Sequence, residues 1–214
     1  DGLLMLAGAE RLWRPLVNGP RLAHQFLAAP AGTAYGLLQR DRDFDHYQDL
    51  DAAYQAQPSV WLEPLRGFGD GRLALLELPV RDGRNQNVLA YFVPNRELQG
   101  GDRLSLHYRL CWGDGEPAGL AGRVLATRSL HEGEVTTYQV DFSALEAAKA
   151  PPRAVVAIQG GEAGEPQVQA LGEGWRLTLP VKHPEGGPLS IRAGLRVDGG
   201  VASETWFYHL GEQE

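Results

Sequence analysis

From Arg103 to Trp112 the chain alternates: Leu104, Leu106, Tyr108, Leu110 and Trp112 fall on one side of an extended segment, and Ser105, His107, Arg109 and Cys111 on the other. Period-two alternation of this length predicts a half-buried strand. Segments of similar texture recur at Arg123 to Leu130, Thr136 to Phe142, Ala154 to Gln159, Trp175 to Leu179, Leu189 to Val197 and Glu204 to Leu210, each bounded by Gly, Pro or Asp. Seven strands at this spacing predict an immunoglobulin-like antiparallel sandwich over about residues 102–210, with Leu104, Leu106, Tyr108 and Leu110 inside it. Trp206 and Tyr208, two apart on the last strand, are expected in its core. A short helix at about Ser143 to Lys149, opened by Ser143 as N-cap and stopped before Pro151-Pro152, is expected as a crossover.

The first half reads as strands and loops, with Pro15 and Asn18-Gly19-Pro20 as turns and Arg72 to Val80 as a buried strand. Phe44 to Gln55 is its one helix candidate. The stretch "PNRELQGGD" is the most linker-like in the chain, so the division is expected near Pro94 to Gly101, giving segments 1–95 and 96–214. The opening "DGLLMLAGAERLWRPL" has the texture of the inside of a domain, and the chain is expected to be a fragment or a processed product.

Composition supports an all-β class, because 27 Gly and 14 Pro punctuate the short apolar runs. The single Cys111 forms no internal disulfide, and with six scattered His it gives no zinc spacing, so neither metal nor cofactor is expected. A formal net charge of -7 and the lack of a basic stripe argue against a nucleic-acid partner. No apolar stretch is long enough for a membrane-spanning helix. Nothing in the pattern fixes an oligomeric state.

Two stretches carry candidate chemistry. "QRDRDFDHYQDLD" places Asp41, Asp43 and Asp45 at alternate positions, on one face of an extended chain, interleaved with Arg40 and Arg42. The string begins like a calcium loop, but His46 stands where glycine is needed and Ala52 where the closing glutamate belongs. Two readings stay open: a solvated charged turn, or the wall of a saccharide cleft with Tyr47, Tyr54 and Trp61 as stacking rings. "RDGRNQNVLAYFVP" sets Asn85, Gln86 and Asn87 in a row after Asp82. Amides hold hydroxyls or backbone but do not titrate near neutral pH, so they bind without acting as acid or base. The glycines of "GFGDG" read as a hairpin turn, no nucleophile elbow or His-Glu-x-x-His occurs, and Cys111 beside Trp112 reads as a structural residue.

The strings "LWRPLVNGPRL", "YGLLQRDRDFDHYQDLDAAY", "PSVWLEP" and "SETWFYHL" resemble the periplasmic glucan biosynthesis family, MdoG, essentially end to end. The resemblance implies a periplasmic protein acting on β-1,2-glucan, with a large β-sandwich that holds a glucan cleft and a smaller immunoglobulin-like domain after it. Residues 1–95 would then be the C-terminal remainder of the large sandwich. It also implies inverting glycosidase chemistry, in which one carboxylic acid protonates the leaving oxygen and a second carboxylate activates water. The family's base lies in a His-Asp-Ser-Asp/Asn-Gly string whose last two residues match Asp1-Gly2, which puts the base ahead of Asp1. The family's acid lies in an Asn-Asp-Asn-Ile/Val string that aligns with Asn85-Gln86-Asn87-Val88, so the acid position here is Gln86.

With the acid replaced by an amide, ordinary hydrolysis is expected to be crippled unless Asp82, Asp41 or Asp43 substitutes. Arg40, Arg42, Tyr47, Trp61, Asn85 and Asn87 are the expected glucan-binding residues. Two functions remain open: an enzyme that hydrolyses or transfers and cyclises glucan, and a non-catalytic glucan-binding protein that assists its assembly.

Overall fold

A computed structural model describes residues 1–17, 19, 21–79, 87–117, 122–145, 150–184, 186–198 and 200–211. Apart from one helical turn and one 3-10 turn, the regular structure of these residues is β, as the all-β reading requires. The chain groups into two units: Asp1–Glu10 with Leu16–Pro117, and Arg11–Pro15 with Ala118–Glu214. None of the described helices is long and apolar enough to cross a membrane, which says nothing of a β-barrel.

The chain opens with β1 (Gly2–Ala7) and β2 (Glu10–Pro15), and β2 belongs to the second unit from Arg11 onward. The first unit continues with β3 (Ala23–Ala29), β4 (Ala34–Leu38), β5 (Ser59–Arg66), β6 (Gly71–Glu77), β7 (Val88–Pro94) and β8 (His107–Gly113). One run of antiparallel neighbours is β1-β4-β5-β8, and a separate three-stranded sheet is ordered β3-β6-β7. The apolar runs of β1 and β6 supply core residues: Leu3, Leu4, Leu73 and Ala74 are fully shielded, and Leu75 nearly so. Gly36 is required where β4 meets β5, because a Cβ there would stand 2.2 Å from the Val60 carbonyl and 2.8 Å from the Trp61 ring.

The strand expected over Arg103 to Trp112 forms only from His107 onward, as β8, and belongs elsewhere. β8 pairs with β5, Leu62 opposite Leu110 and Val60 opposite Trp112, so it completes a sheet of the first unit and no strand of a sandwich at 102–210. Its apolar row is not inside: Leu104 and Leu110 are 43% exposed, Tyr108 51% and Trp112 67%. Alternation reports the pleat of a strand; which sheet adopts it, and what covers it, depends on pairing partners distant in sequence. The linker-like stretch after Pro94 therefore joins two strands of one unit, and the chain divides after Pro117.

The Phe44 to Gln55 helix shrinks to α1 (Phe44–Tyr47) and a 3-10 turn at Tyr54–Ala56, since Gln48 adopts a left-handed conformation and caps the first turn. Ser143 to Leu145 are not helical, and the rest of that expected helix lies outside the described residues. Ser143 instead accepts the Arg123 N–H through its hydroxyl at 2.9 Å.

The second unit holds β9 (Val124–Glu132), β10 (Val135–Phe142), β11 (Arg153–Gln159), β12 (Glu162–Ala163), β13 (Gln167–Leu171), β14 (Gly174–Lys182), β15 (Leu189–Val197), β16 (Gly200–Val201) and β17 (Thr205–Leu210). One sheet is ordered β12-β14-β10-β9 with β13 also on β14; the other runs β11-β15-β17-β2 with β16 on β15. The pattern of "RLTLPVK" shows why. Leu177, Leu179 and Val181 are fully buried while Arg176, Thr178 and Pro180 take the other face. Leu189, Ile191, Ala193 and Leu195 do the same on β15. Each such large side chain contributes about 1.5–3 kcal/mol by leaving water. The sheets meet at Tyr138, whose ring lies 5.7 Å from Trp206 and 4.9 Å from Tyr208; Trp206 is in the core as expected, whereas Tyr208 is only half-buried. The Trp206 indole N–H donates to the Thr127 hydroxyl at 2.9 Å.

Candidate functional site

The acidic string after β4 does not stay extended, and the reason lies in its own spacing. Carboxylates accept a backbone N–H two residues on, closing small turns. Asp41 accepts the Asp43 N–H at 3.1 Å and Asp43 accepts the Asp45 N–H at 3.0 Å, which makes Asp43 the N-cap of α1. Asp49 accepts from Asp51 and Ala52 at 3.0 and 2.9 Å. The expected row of three carboxylates on one face is thus replaced by turns. Gln48 and Ala53 are held at positive φ, 54° and 44°, with the Gln48 N–H on the Phe44 carbonyl at 2.8 Å. Conformations of this cost persist where the surroundings over-determine them, and they concentrate at functional loops.

Both arginines of the string are committed to holding it. Arg40 makes a bidentate pair with Glu116, at 2.9 and 3.0 Å, and the two side chains are only 6% and 15% exposed. Arg42 donates to the Gln55 and Gln57 carbonyls at 3.1 Å each and lies 3.4 Å from Asp114. Sequence reading missed Glu116 and Asp114, which lie more than seventy residues away, and no local signal marks them. The second terminal nitrogen of Arg42 and the side-chain oxygen of Gln55 are buried without a hydrogen-bond partner.

Tyr47 collects the other contacts. Its hydroxyl donates to the Asp1 carboxylate at 2.9 Å and accepts from the Gln39 amide at 2.9 Å, and its ring lies 5.9 Å from Tyr54. Burial and then the Asp41 charge raise the phenol's pKa. The His46 imidazole is 2.7 Å from Asp41 and 4.0 Å from Asp43. Burial alone would raise the Asp41 carboxyl, but the Asp43 N–H and His46 together hold it below its usual range. The hydrogen bond to Asp41 raises His46 in turn. A carboxylate held in its ionised form is a poor proton donor near neutral pH, which weighs against Asp41 as a substitute acid. Asp43 is 59% exposed and spends one oxygen on its cap.

The structure therefore brings together Arg40, Asp41, Arg42, Asp43 and Tyr47. Trp61 is different: it is 6% exposed, packed over Gly36, and its ring is part of the core of the first unit. Asp82, Asn85 and Gln86 lie outside the described residues, as do the rest of 80–86. The neck between β6 and β7 is described. Leu78 donates its N–H to the Asn87 carbonyl at 2.7 Å, and the Asn87 amide donates to the Leu78 carbonyl at 3.3 Å. Near this neck Glu77, only 5% exposed, accepts the Val17 N–H at 2.6 Å; nothing in the apolar run around it signalled a buried carboxylate. Among the described residues no group of three or more His, Cys, Asp or Glu is placed to hold a metal ion.

Comparison with known proteins agrees with the resemblance read in the sequence. Residues 1–210 match the family described as "Periplasmic glucan biosynthesis protein, MdoG". The chain is 37% identical over 235 residues to Glucans biosynthesis protein G of Ralstonia nicotianae, covering 98% of this chain and 46% of that protein. It is 35% identical over 226 residues to Glucans biosynthesis protein D 2 of the same organism, covering 97% and 42%. With Glucans biosynthesis protein D of Xanthomonas campestris pv. campestris the identity is 36% over 231 residues, covering 97% and 43%. The chain thus spans somewhat under half the length of these curated relatives.

Proposed function

From the premise that this chain belongs to the periplasmic glucan biosynthesis family, MdoG, we propose that its first unit helps to hold a β-1,2-glucan backbone and that simple hydrolysis of that backbone is suppressed. The observation that carries the reading is Gln86, an amide flanked by Asn85 and Asn87 at the position that aligns with the family's acid. An amide there keeps a hydrogen bond to a sugar hydroxyl and gives up the proton needed by the leaving oxygen. On this reading the 39–47 segment, with Arg42, Asp43 and Tyr47, forms part of the glucan site, and the second unit corresponds to the family's smaller immunoglobulin-like domain. Transfer or cyclisation of the glucan, with Asp43 or Asp82 as the replacement donor, is the catalytic form of the same proposal.

Incubating a full-length protein that contains this chain, and with it the expected base position ahead of Asp1, with linear β-1,2-glucan and measuring reducing ends and cyclic products tests it. Gln86→Asp is expected to raise hydrolysis by roughly 10² or more, the usual scale of a general acid, and Gln86→Ala to leave it low. Hydrolysis by the unaltered protein that survives Gln86→Ala, Asp43→Asn and Asp82→Asn together would overturn the assignment of the acid position.

A further inference from the structure

One face of the β3-β6-β7 sheet carries a set of side chains that the folding of the first unit does not use. Cross-strand partners define it rung by rung: His24, Leu76 and Leu89; then Phe26, Ala74 and Tyr91; then Ala28, Arg72 and Val93. The opposite face supplies the core, with Leu27, Leu73 and Leu75 buried. Phe26 is 43% exposed, Tyr91 40% and Leu89 47%. The rings are organised: His24 lies 4.5 Å from Phe26 and 6.3 Å from Tyr91, the His24 Nε2 and Tyr91 hydroxyl share a hydrogen bond of 3.1 Å, and the Arg72 guanidinium stacks 4.7 Å over Phe26. Continuing the alternation of β7, Asn87 falls on this same side, at the neck between β6 and β7.

We infer that this face is a carbohydrate-binding track, separate from the 39–47 segment, that takes up an extended stretch of the glucan; the inference rests on the glucan reading above. A pyranose offers an apolar C–H face and a rim of hydroxyls, so its surface wants aromatic faces interleaved with neutral or cationic donors. Phe26 and Tyr91 supply the faces, and Arg72, His24, the Tyr91 hydroxyl and the Asn87 amide supply the polar groups. Among the described residues Arg72 has no carboxylate partner and is held by the Phe26 ring alone, so its N–H groups are available to hydroxyls. The row on β8 makes the contrast. Tyr108, Leu110 and Trp112 are exposed too, but their cross-strand partners Pro64, Leu62 and Val60 add no cationic or amide donor, which is what a protein layer and not a sugar chain would fit.

Binding of long linear β-1,2-glucan and of its short oligosaccharides, measured calorimetrically on the protein and on Phe26→Ala, Tyr91→Ala, Tyr91→Phe and Arg72→Ala, tests the track. Long-chain affinity is expected to fall about tenfold in each alanine variant, and two- to threefold at most in Tyr91→Phe, with short-oligosaccharide affinity unchanged. Tyr91→Phe and Arg72→Ala keep the test decisive if loss of a ring prevents folding, because neither removes an aromatic ring from the sheet. A Tyr91→Trp reporter is expected to shift to the blue on adding long chains and to be open to iodide beforehand. Unchanged long-chain affinity in every variant, or a reporter already shielded by another segment or a second copy, would overturn the track and leave the glucan reading standing. Equal losses for short and long chains would merge the face with the primary site and also overturn it. Absence of binding to β-1,2-glucan of any length would sink both.

Discussion

Arg40 and Glu116 offer the sharpest test of how the candidate site is held. The pair is bidentate at 2.9 and 3.0 Å and the side chains are 6% and 15% exposed, so each charge has given up most of its water for the other. Removing one partner takes from the other, largely desolvated charge its bidentate counter-ion. A fully buried pair loses about 3–5 kcal/mol when broken this way, and the residual exposure of Glu116 puts the expected cost near the bottom of that range, about 3 kcal/mol. Replacing both by apolar residues of similar length removes the desolvated charge as well as the attraction, so Arg40→Met with Glu116→Met should cost less than the sum of the singles by about 2 kcal/mol. Urea unfolding followed by tryptophan fluorescence reads the cycle, and with a slope of about 2 kcal/mol per molar each single variant should lose roughly 1.5 M in midpoint. Singles that add to the double within about 0.5 kcal/mol would show that the two residues are not coupled, and that the 39–47 segment is anchored by something other than this pair.

Asp141 accepts from Arg176 at 2.6 and 2.8 Å and from Arg128 at 2.7 Å; burial alone would raise its pKa, yet the arginines bring it below its ordinary value of 3.8. A lowered folded-state pKa gives stability that is present above the unfolded value and lost as pH falls through the folded one, so Asp141→Asn should flatten the acid limb of unfolding below about pH 4. His46 is raised by Asp41, so its contribution to the order of α1 should be present below its ordinary value of 6.5 and lost as pH rises through the folded one. An NMR titration in which Asp41→Asn fails to lower the His46 midpoint would contradict that pairing. At Gly160, φ is +81° and a Cβ would sit 1.9 Å from the Pro188 carbonyl, so Gly160→Ala should cost about 2–4 kcal/mol, and a melting temperature within about 2 °C of the parent would refute it.

Much of this architecture is legible in the sequence where a strand's own residues decide it. The alternations in "VTTYQVDF", "RLTLPVK" and "LSIRAGLRV" name the buried face of β10, β14 and β15 correctly, because period two is enforced by the backbone. Pairing is a different matter. β8 shows the same alternation and went to the other unit, since nothing in "HYRLCW" encodes that Val60 and Leu62 will lie beside it. The acidic string was legible as a polar feature but not as a fold: aspartates two apart suit an extended row and a chain of small turns equally well, and capping of α1 by Asp43 decided for turns. Trp61 shows the limit for single residues, because an aromatic beside charged neighbours reads as a stacking ring until Gly36 opens a place for it in the core.

The strand β2 carries a consequence for how the second unit comes into being. Leu12 and Trp13 lie parallel to Thr205 and Trp206 at the end of the β11-β15-β17 run, so a ladder is closed between residues almost two hundred positions apart. Leu12, Trp13 and Arg14 are buried there, which makes the segment part of that core and no loose trimming. During synthesis the ladder cannot form until the last strand has been made, and contacts of such separation slow the search for the native state. Nor can the unit be excised by cutting at its apparent border. A chain started at Ala118 would present β17 with an open row of amide and carbonyl groups, a template for a neighbour's strand, and should self-associate unless a peptide spanning residues 10–16 is supplied to fill the vacancy.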